Sequence, residues 1–216
     1  MKEFKQIVVA THNPAKIQRL KDALLKVTDN VLTLADVGVV EMVEESGATA
    51  EENAQIKAIF YAKLTKELVF AQDTALYVDF LPEDKQPGVY VRRVGGKELT
   101  DDELFAYWEA IIVNVPKEKR TGRWHAAFCL ATPDGKVYSF SIDHPRIFFH
   151  PPSSKRVQGW PMDSLMGHSR FNKPQSELTD EERKEVYREM DDILMEKLPE
   201  FFRRIQRKRI QGFSFK

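Results

Sequence analysis

The stretch Val8–Leu20, VVATHNPAKIQRL, leaves few choices for the start of the fold. Ile7–Ala10 reads as a short buried strand, and Ile17, Leu20, Leu24 and Val27 then recur at helical spacing. Between them lies a polar turn in which Asn13 is a good N-cap. Pro14 suits the first helical position, because its missing N–H would have no partner there in any case. The helix is therefore expected to begin at Pro14. A helix that starts straight after a buried strand presents its free N–H groups and positive dipole end at the sheet's edge, where a phosphate or carboxylate is stabilised. Thr11 adds a hydroxyl, Asn13 an amide and Lys16 a cation. The dipole disfavours a cation in the first turn unless it serves an anion. An ordinary capped helix with a solvated lysine is the competing reading, and the stretch by itself leaves both open.

The remaining pattern alternates strands and helices. SGATAEENAQIKAIFYAKLT predicts a second helix, with Thr49 and Glu52 as a capping box and Ile56, Ile59, Phe60 and Leu64 as its apolar stripe. LVFAQDTALYVDFL reads as two short strands around a polar kink. ELTDDELFAYWEAII is a third helix, opened by Thr100 with Glu103 three residues on. RWHAAFCLATPDGKVYSFSID has the shape of a β-hairpin with PDG as its turn. A long final helix follows from Thr179 towards Arg209, capped by Thr179 and Glu182 and expected to bend or break at Pro199. This order gives an α/β class, a mixed central sheet with flanking helices. With 216 residues, 42% of them hydrophobic, residues 1–216 are expected to form one domain, with room for two lobes.

Several function classes are disfavoured. Thirty-three basic and thirty-three acidic residues give a net charge of zero, so no broad basic footprint for nucleic acid is present and no stable nucleic-acid partner is expected. Cys129 is the only cysteine and lies in the apolar run HAAFCLAT, where a packed thiol is expected rather than a disulfide or zinc ligand. No run of eighteen apolar residues occurs and IVVA is too short for a signal core, so the expectation is a cytoplasmic protein without a membrane partner. VGGKEL at Val94–Leu99 resembles part of a P-loop but has Glu98 where Ser or Thr is required, and reads as a surface turn. The five histidines show no metal-ligand spacing. The basic run RRIQRKR near the C-terminus reads as a solvated helix end.

The acids carry more information. Glu51 and Glu52 belong to a first helical turn, but Glu44 and Glu45, just before Gly47, have no such explanation. Asp73 follows a strongly apolar segment, where an unpaired carboxylate is expensive, although a turn-forming Asp is the alternative. A Mg²⁺ ion held by one or two carboxylates and by substrate phosphates would account for these acids together with the anion site at the first turn.

Four stretches in order are similar to the inosine triphosphate pyrophosphatase family, the Ham1-like nucleoside triphosphate pyrophosphatases that remove non-standard purines. VVATHNPAKIQRL resembles the pattern ATxNxxK, EESGATAEENAQIKA resembles ETGxTFEENAxxKA, AQDTALYVDFL resembles ADDSGLxVDAL, and PGVYVRRVGG resembles PGVYSARYAG. SELTDEERKEV further resembles the ELTxEEKxxI that precedes the family's last helix. The resemblance implies an α/β fold with two lobes around an active-site cleft, Mg²⁺ as cofactor, and a homodimer. It implies a reaction in which water splits a nucleoside triphosphate such as (d)ITP or XTP into monophosphate and pyrophosphate.

Carried over by position, the resemblance gives Thr11, His12, Asn13, Lys16 and Lys57 to the triphosphate, with Lys16 and Asp73 in catalysis. It gives Glu44 and Asp73 to the metal, with Thr74 and Arg93 beside the substrate. The base-reading half is rewritten. Gly159 and Trp160 fit the family's GFGYDPIF, Asp163 is displaced by two inserted residues, and Arg183 replaces the lysine of EEK. YREMDD stands in place of SHRGKA, so Arg188 falls at its His and Glu189 at its Arg, while Gln72 replaces the first acid of ADDSG. A pyrophosphohydrolase of altered base preference, or a nucleotide-binding protein with weakened catalysis, are the alternatives these departures leave.

Overall fold

Strand β1 (Phe4–Val9) opens the fold, followed by helix α1 (Pro14–Leu24) and strand β2 (Thr28–Thr33). Then come α2 (Ala50–Thr65), β3 (Val69–Val78), the short β4 (Arg93–Val94) and β5 (Lys97–Glu98), and α3 (Asp101–Ile112). Strands β6 (Thr121–Ala131), β7 (Val137–Phe148), β8 (Met166–His168) and β9 (Lys173–Pro174) precede the last helix, α4 (Asp180–Gly212). These come from a computed structural model that describes residues 4–212. Seven strands form a mixed sheet in the order β2-β1-β3-β6-β7-β8-β9, flanked by helices, and β4 and β5 form a separate two-stranded ribbon.

The chain divides into two compact units, the first made of residues 1–73, 126–142 and 190–216, the second of 74–125 and 143–189. In the first unit β1 is parallel to both β2 and β3, with Val8 opposite Leu32 and Val69. Ile7, Val8 and Val9 are fully buried, as a strand covered on both faces requires. The core collects Leu20 and Leu24 of α1, Phe70 of β3, Phe128 and Leu130 of β6, and Leu194, Leu198 and Phe202 of α4. Each such side chain contributes about 1.5–3 kcal/mol by leaving water. Cys129 is buried in the same strand, and desolvation holds its thiol above the ordinary range. The second unit has its own core, in which Leu76, Leu104, Trp108, Ile112, Phe148 and Leu165 pack together.

Four local features differ from the sequence reading or are absent from it. First, β2 carries no strong apolar signal and escapes the sequence pattern, because only Thr28 and Val31 of TDNVLT are buried. Second, the supposed pair of short strands is one ten-residue strand, β3, with Gln72 and Asp73 buried within it. Third, α2 has the predicted capping box but buries another face. Ala50, Asn53, Ala54, Lys57, Ala58, Tyr61 and Ala62 point inward, while Phe60 and Leu64 are exposed. Alanines let the helix backbone approach its neighbours closely, and the polar members of that face all find partners, described below. Fourth, α4 continues through Pro199, which removes one N–H without ending the helix.

The capped start of α4 holds as read, with the Thr179 hydroxyl accepting from Glu182 N–H and the Glu182 carboxylate accepting from Thr179 N–H. β6 and β7 form the expected hairpin around PDG, with Gly135 at φ 85°. VGGKEL is the turn of the β4–β5 ribbon, its two glycines at φ 58° and 82°. Arg203, Arg204 and Arg207 are exposed, while the side chains of Lys208 and Arg209 lie outside the described residues. Among the described residues no helix is long and apolar enough to cross a membrane.

Candidate active site

In the first unit, the turn after β1 is built as its residues dictate. The Thr11 hydroxyl accepts the Asn13 N–H at 3.2 Å, and the Asn13 side chain accepts the Lys16 N–H at 3.2 Å. Asn13 is thus the N-cap, and α1 begins at Pro14 with no acid in its first turn. Because β1 is buried and parallel to its neighbours, the helix opens at the carboxyl end of the strands, where open α/β sheets place their ligands. His12 is exposed, its ring edge-on to Tyr61 at 6.5 Å.

Lys16 is half-buried, and its ammonium is held below the ordinary lysine range. Desolvation is the main cause and the Lys57 cation the next, while Asp73 and Glu45 act in the opposite sense. Lys16 is therefore within electrostatic reach of a second charged group, which α2 and β3 assemble. Lys57 is only 8% exposed, and its ammonium donates to Asp73 Oδ1 and Glu45 Oε2, each at 2.9 Å. A buried cation between two carboxylates satisfies all three charges, which an apolar stripe on that face of α2 could not.

The same face ties down the segment that carries Glu45. Tyr61 donates to the Glu41 carbonyl at 2.9 Å, and Asn53 accepts the Gly47 N–H at 2.8 Å. Gly47 lies so close to α2 that a Cβ there would meet Glu52 Cβ at 2.6 Å and Asn53 Oδ1 at 2.7 Å. Glycine is required by space rather than by backbone angle.

Glu45, not Glu44, is the acid brought to Lys57 and Asp73, and Glu44 is exposed. Sequence reasoning singled out both acids and gave the metal role to Glu44, although the motif held the signal for Glu45. Aligning ESG of EESGATAEENA on ETG of the family pattern puts Glu45 at the motif's acid. Gln72 is buried, and the alternation of β3 turns it away from Asp73, so its replacement of an acid removes no carboxylate from the Lys57 group. Its Oε1 has no hydrogen-bond partner among the described residues.

The donor chemistry here fits a divalent cation of the Mg²⁺ kind. Two carboxylates converge on one point, now taken by an ammonium, and hard cations of this type take one or two carboxylates with substrate phosphates completing the shell. No group of three or more metal-binding side chains occurs among the described residues.

In the second unit the sequence-assigned residues are more dispersed. Thr74 is half-buried on β3, and Arg93 is exposed, its guanidinium 5.8 Å from the Tyr90 ring. Gly159 takes φ 80°, and Trp160 after it is 63% exposed. Asp163 follows in a short helical turn, and desolvation raises its carboxyl to about 6 against the pull of Arg183 and Arg146. Arg188 is exposed on α4. Glu189 lies 3.7 Å from His168, whose imidazole burial holds below its ordinary range. The Arg146 cation and the His168 imidazole are thus additional polar neighbours of this region that no motif indicated.

The sequence model of the Ham1 family matches residues 7–189, so the chain belongs to the Ham1 family. It is 30% identical over 195 residues to the dITP/XTP pyrophosphatase of Thermoanaerobacter sp. (strain X514), an alignment covering 88% of this chain and 93% of the relative. It is likewise 30% identical to the dITP/XTP pyrophosphatase of Bacillus subtilis (strain 168), over 88% of this chain and 94% of that one. Among solved structures, the nucleoside-triphosphatase / dITP/XTP pyrophosphatase from Mycobacterium abscessus superposes with a TM-score of 0.69 at 29% identity, covering 90% of this chain and 99% of that one. The Staphylococcus aureus Ham1 protein, 22% identical, matches with a TM-score of 0.67 over 89% of this chain and 100% of its own, and so shares the fold.

Proposed function

We propose that this protein is a nucleoside triphosphate pyrophosphatase that hydrolyses non-canonical purine triphosphates such as dITP and XTP to the monophosphate and pyrophosphate. The observation that carries it is the first unit's charge group, in which Lys16 at the start of α1 lies within electrostatic reach of Lys57, Asp73 and Glu45. A triphosphate needs several negative charges neutralised and one water positioned, and this group has cations for the first task and carboxylates for the second.

In this reading Thr11, His12, Asn13 and the first N–H groups of α1 hold phosphate oxygens, and Lys16 and Lys57 neutralise them. Asp73 accepts the proton of the attacking water as it adds to the phosphorus, and the pyrophosphate leaves with the electrons of the broken P–O bond. Glu45 and Asp73 would hold Mg²⁺, which when bound adds further positive charge against the phosphates. Thr74, Arg93, Gly159, Trp160, Asp163, Arg183 and Arg188 serve sugar and base. The enzyme is a homodimer, as the family resemblance implies, and sedimentation of the purified protein at micromolar concentration tests the dimer.

The deciding assay incubates the protein with Mg²⁺ and a panel of natural and deaminated triphosphates and measures pyrophosphate and monophosphate. Strongest turnover of dITP or XTP supports the proposal, and binding without turnover overturns it. A second reading, the same reaction with another base preference, is favoured by one observation. Where the family pattern has the His and Arg that read purine, this chain has an exposed Arg188 and Glu189 beside His168. Strongest turnover of a different triphosphate supports that reading.

A further inference from the structure

We propose that Arg92 and Asp101 are positioning residues that hold Trp160 ready to stack on the substrate's base, an inference that rests on the pyrophosphatase reading above. All three belong to the second unit. The peptide of Gly159, immediately before Trp160, is gripped from both sides. Asp101 Oδ2 accepts the Gly159 N–H at 2.6 Å, and Arg92 Nη2 donates to the Gly159 carbonyl at 3.0 Å. The same Arg92 nitrogen donates to Asp101 Oδ1 at 2.6 Å, so guanidinium, carboxylate and peptide close a ring of charge-assisted hydrogen bonds.

Each clamp residue is itself anchored. Arg92 O accepts the Leu99 N–H at 2.8 Å, and Asp101 is the first residue of α3 behind the Thr100 capping box. One turn further along α3, the Arg156 guanidinium lies 3.6 Å from the centre of the Phe105 ring, which fastens the same loop at a second point. The Trp160 backbone is tied as well, its N–H donating to Val157 O at 2.9 Å and its carbonyl accepting the Asp163 N–H at 3.1 Å.

All this order ends in an indole that is 63% exposed. Six hydrogen bonds and a cation–π contact in a loop whose largest side chain is mostly exposed are explained when that side chain has a partner to meet. Fixing the loop beforehand lowers the ordering cost of binding, and a planar base offers the indole a stacking face. In PGVYVRRVGG, Arg92 stands where the family pattern PGVYSARYAG has alanine, next to the Arg93 that matches its arginine.

The test is a kinetic cycle on pyrophosphate release from dITP by the wild-type protein, Arg92→Ala, Trp160→Ala and the double variant. Each single variant is expected to raise KM roughly tenfold, the scale of one base–aromatic stack, with kcat within about twofold because the group acts in binding. The double variant is expected to be no worse than Trp160→Ala alone. Arg92→Lys keeps the charge but loses the planar fork and should behave as Arg92→Ala, and Asp101→Ala should do the same. Hydrogen exchange at the Gly159 amide should quicken in the Arg92 and Asp101 variants.

An unchanged KM in Arg92→Ala overturns the positioning role, and so does an Arg92→Ala effect that persists in full once Trp160 is gone. Either result with a wild-type enzyme of normal turnover leaves the activity reading standing. A wild-type protein that releases no pyrophosphate from any triphosphate overturns that reading, and the positioning role with it.

Discussion

Lys57 is 8% exposed and bonded to two carboxylates, whereas Trp160 is 63% exposed and fixed only through its backbone. The first belongs to the unit with the candidate phosphate site, the second to the unit with the candidate base readers. The difference follows from what each ligand part demands. Phosphate charge is best met by groups already desolvated and locked, since a low-dielectric setting strengthens each interaction. Stacking on a base needs an uncovered ring and a loop that keeps it in place. The first unit keeps the family's ATxNxxK and EENAxxKA patterns, and the SHRGKA motif is the one replaced in the second.

Four changes test this contrast. Asp73→Asn should cut turnover of dITP by about 10²–10⁴-fold, the usual contribution of a general base. Full activity in that variant would place the reaction's base elsewhere and dissolve the contrast. Lys57→Met leaves Asp73 buried without its cation, and chemical denaturation should show a loss of about 3 kcal/mol. Gly47→Ala forces a Cβ into Glu52 and Asn53, so a loss of about 1–3 kcal/mol is expected in the same measurement. At the small end, Trp160→Ala should alter stability by no more than about 0.5 kcal/mol, since the indole is largely in water.

Asp163 makes a pH test of the second unit. Its carboxyl is raised from the ordinary 3.8 to about 6 by desolvation, so the folded state binds more protons than the unfolded chain between those values. Stability is therefore reduced progressively as pH rises from about 4 to about 6, and the reduction is complete above 6. After allowance for its partial exposure to solvent, the effect is about 1 kcal/mol. Asp163→Asn should flatten that slope, and denaturation midpoints at pH 4, 5, 6 and 7 would show it. An unchanged slope would mean that another group titrates there.

Much of the first unit's site was legible in the order of residues. Asn13 and Pro14 fix where α1 begins through local hydrogen bonding alone, and the Thr49–Glu52 box fixes where α2 begins. Rotation of α2 was not legible. Ile56, Ile59, Phe60 and Leu64 make the more apolar stripe, yet the buried face is the one holding Lys57, because its charge meets Asp73 sixteen residues later in the chain. The same ion pair keeps Asp73 inside a continuous β3, where local rules predict a kink. Glu45 was within reach of a stricter alignment, but its choice over Glu44 becomes physical only when Tyr61 and Asn53 tie the segment to α2. The Arg92–Asp101–Gly159 clamp joins residues up to 67 positions apart, which no local pattern reports.

The sequence by itself determined the helix starts, the buried first strand, the PDG hairpin and the family, since each depends on neighbours within a few residues or on motifs in register. Tertiary structure alone decided which face of α2 is buried, which glutamate joins Lys57 and Asp73, and which residues hold Trp160 in place. Those outcomes depend on charges and peptides meeting across long stretches of chain, where desolvation makes an unpaired charge costly and so favours the arrangement in which Lys57 meets its two carboxylates.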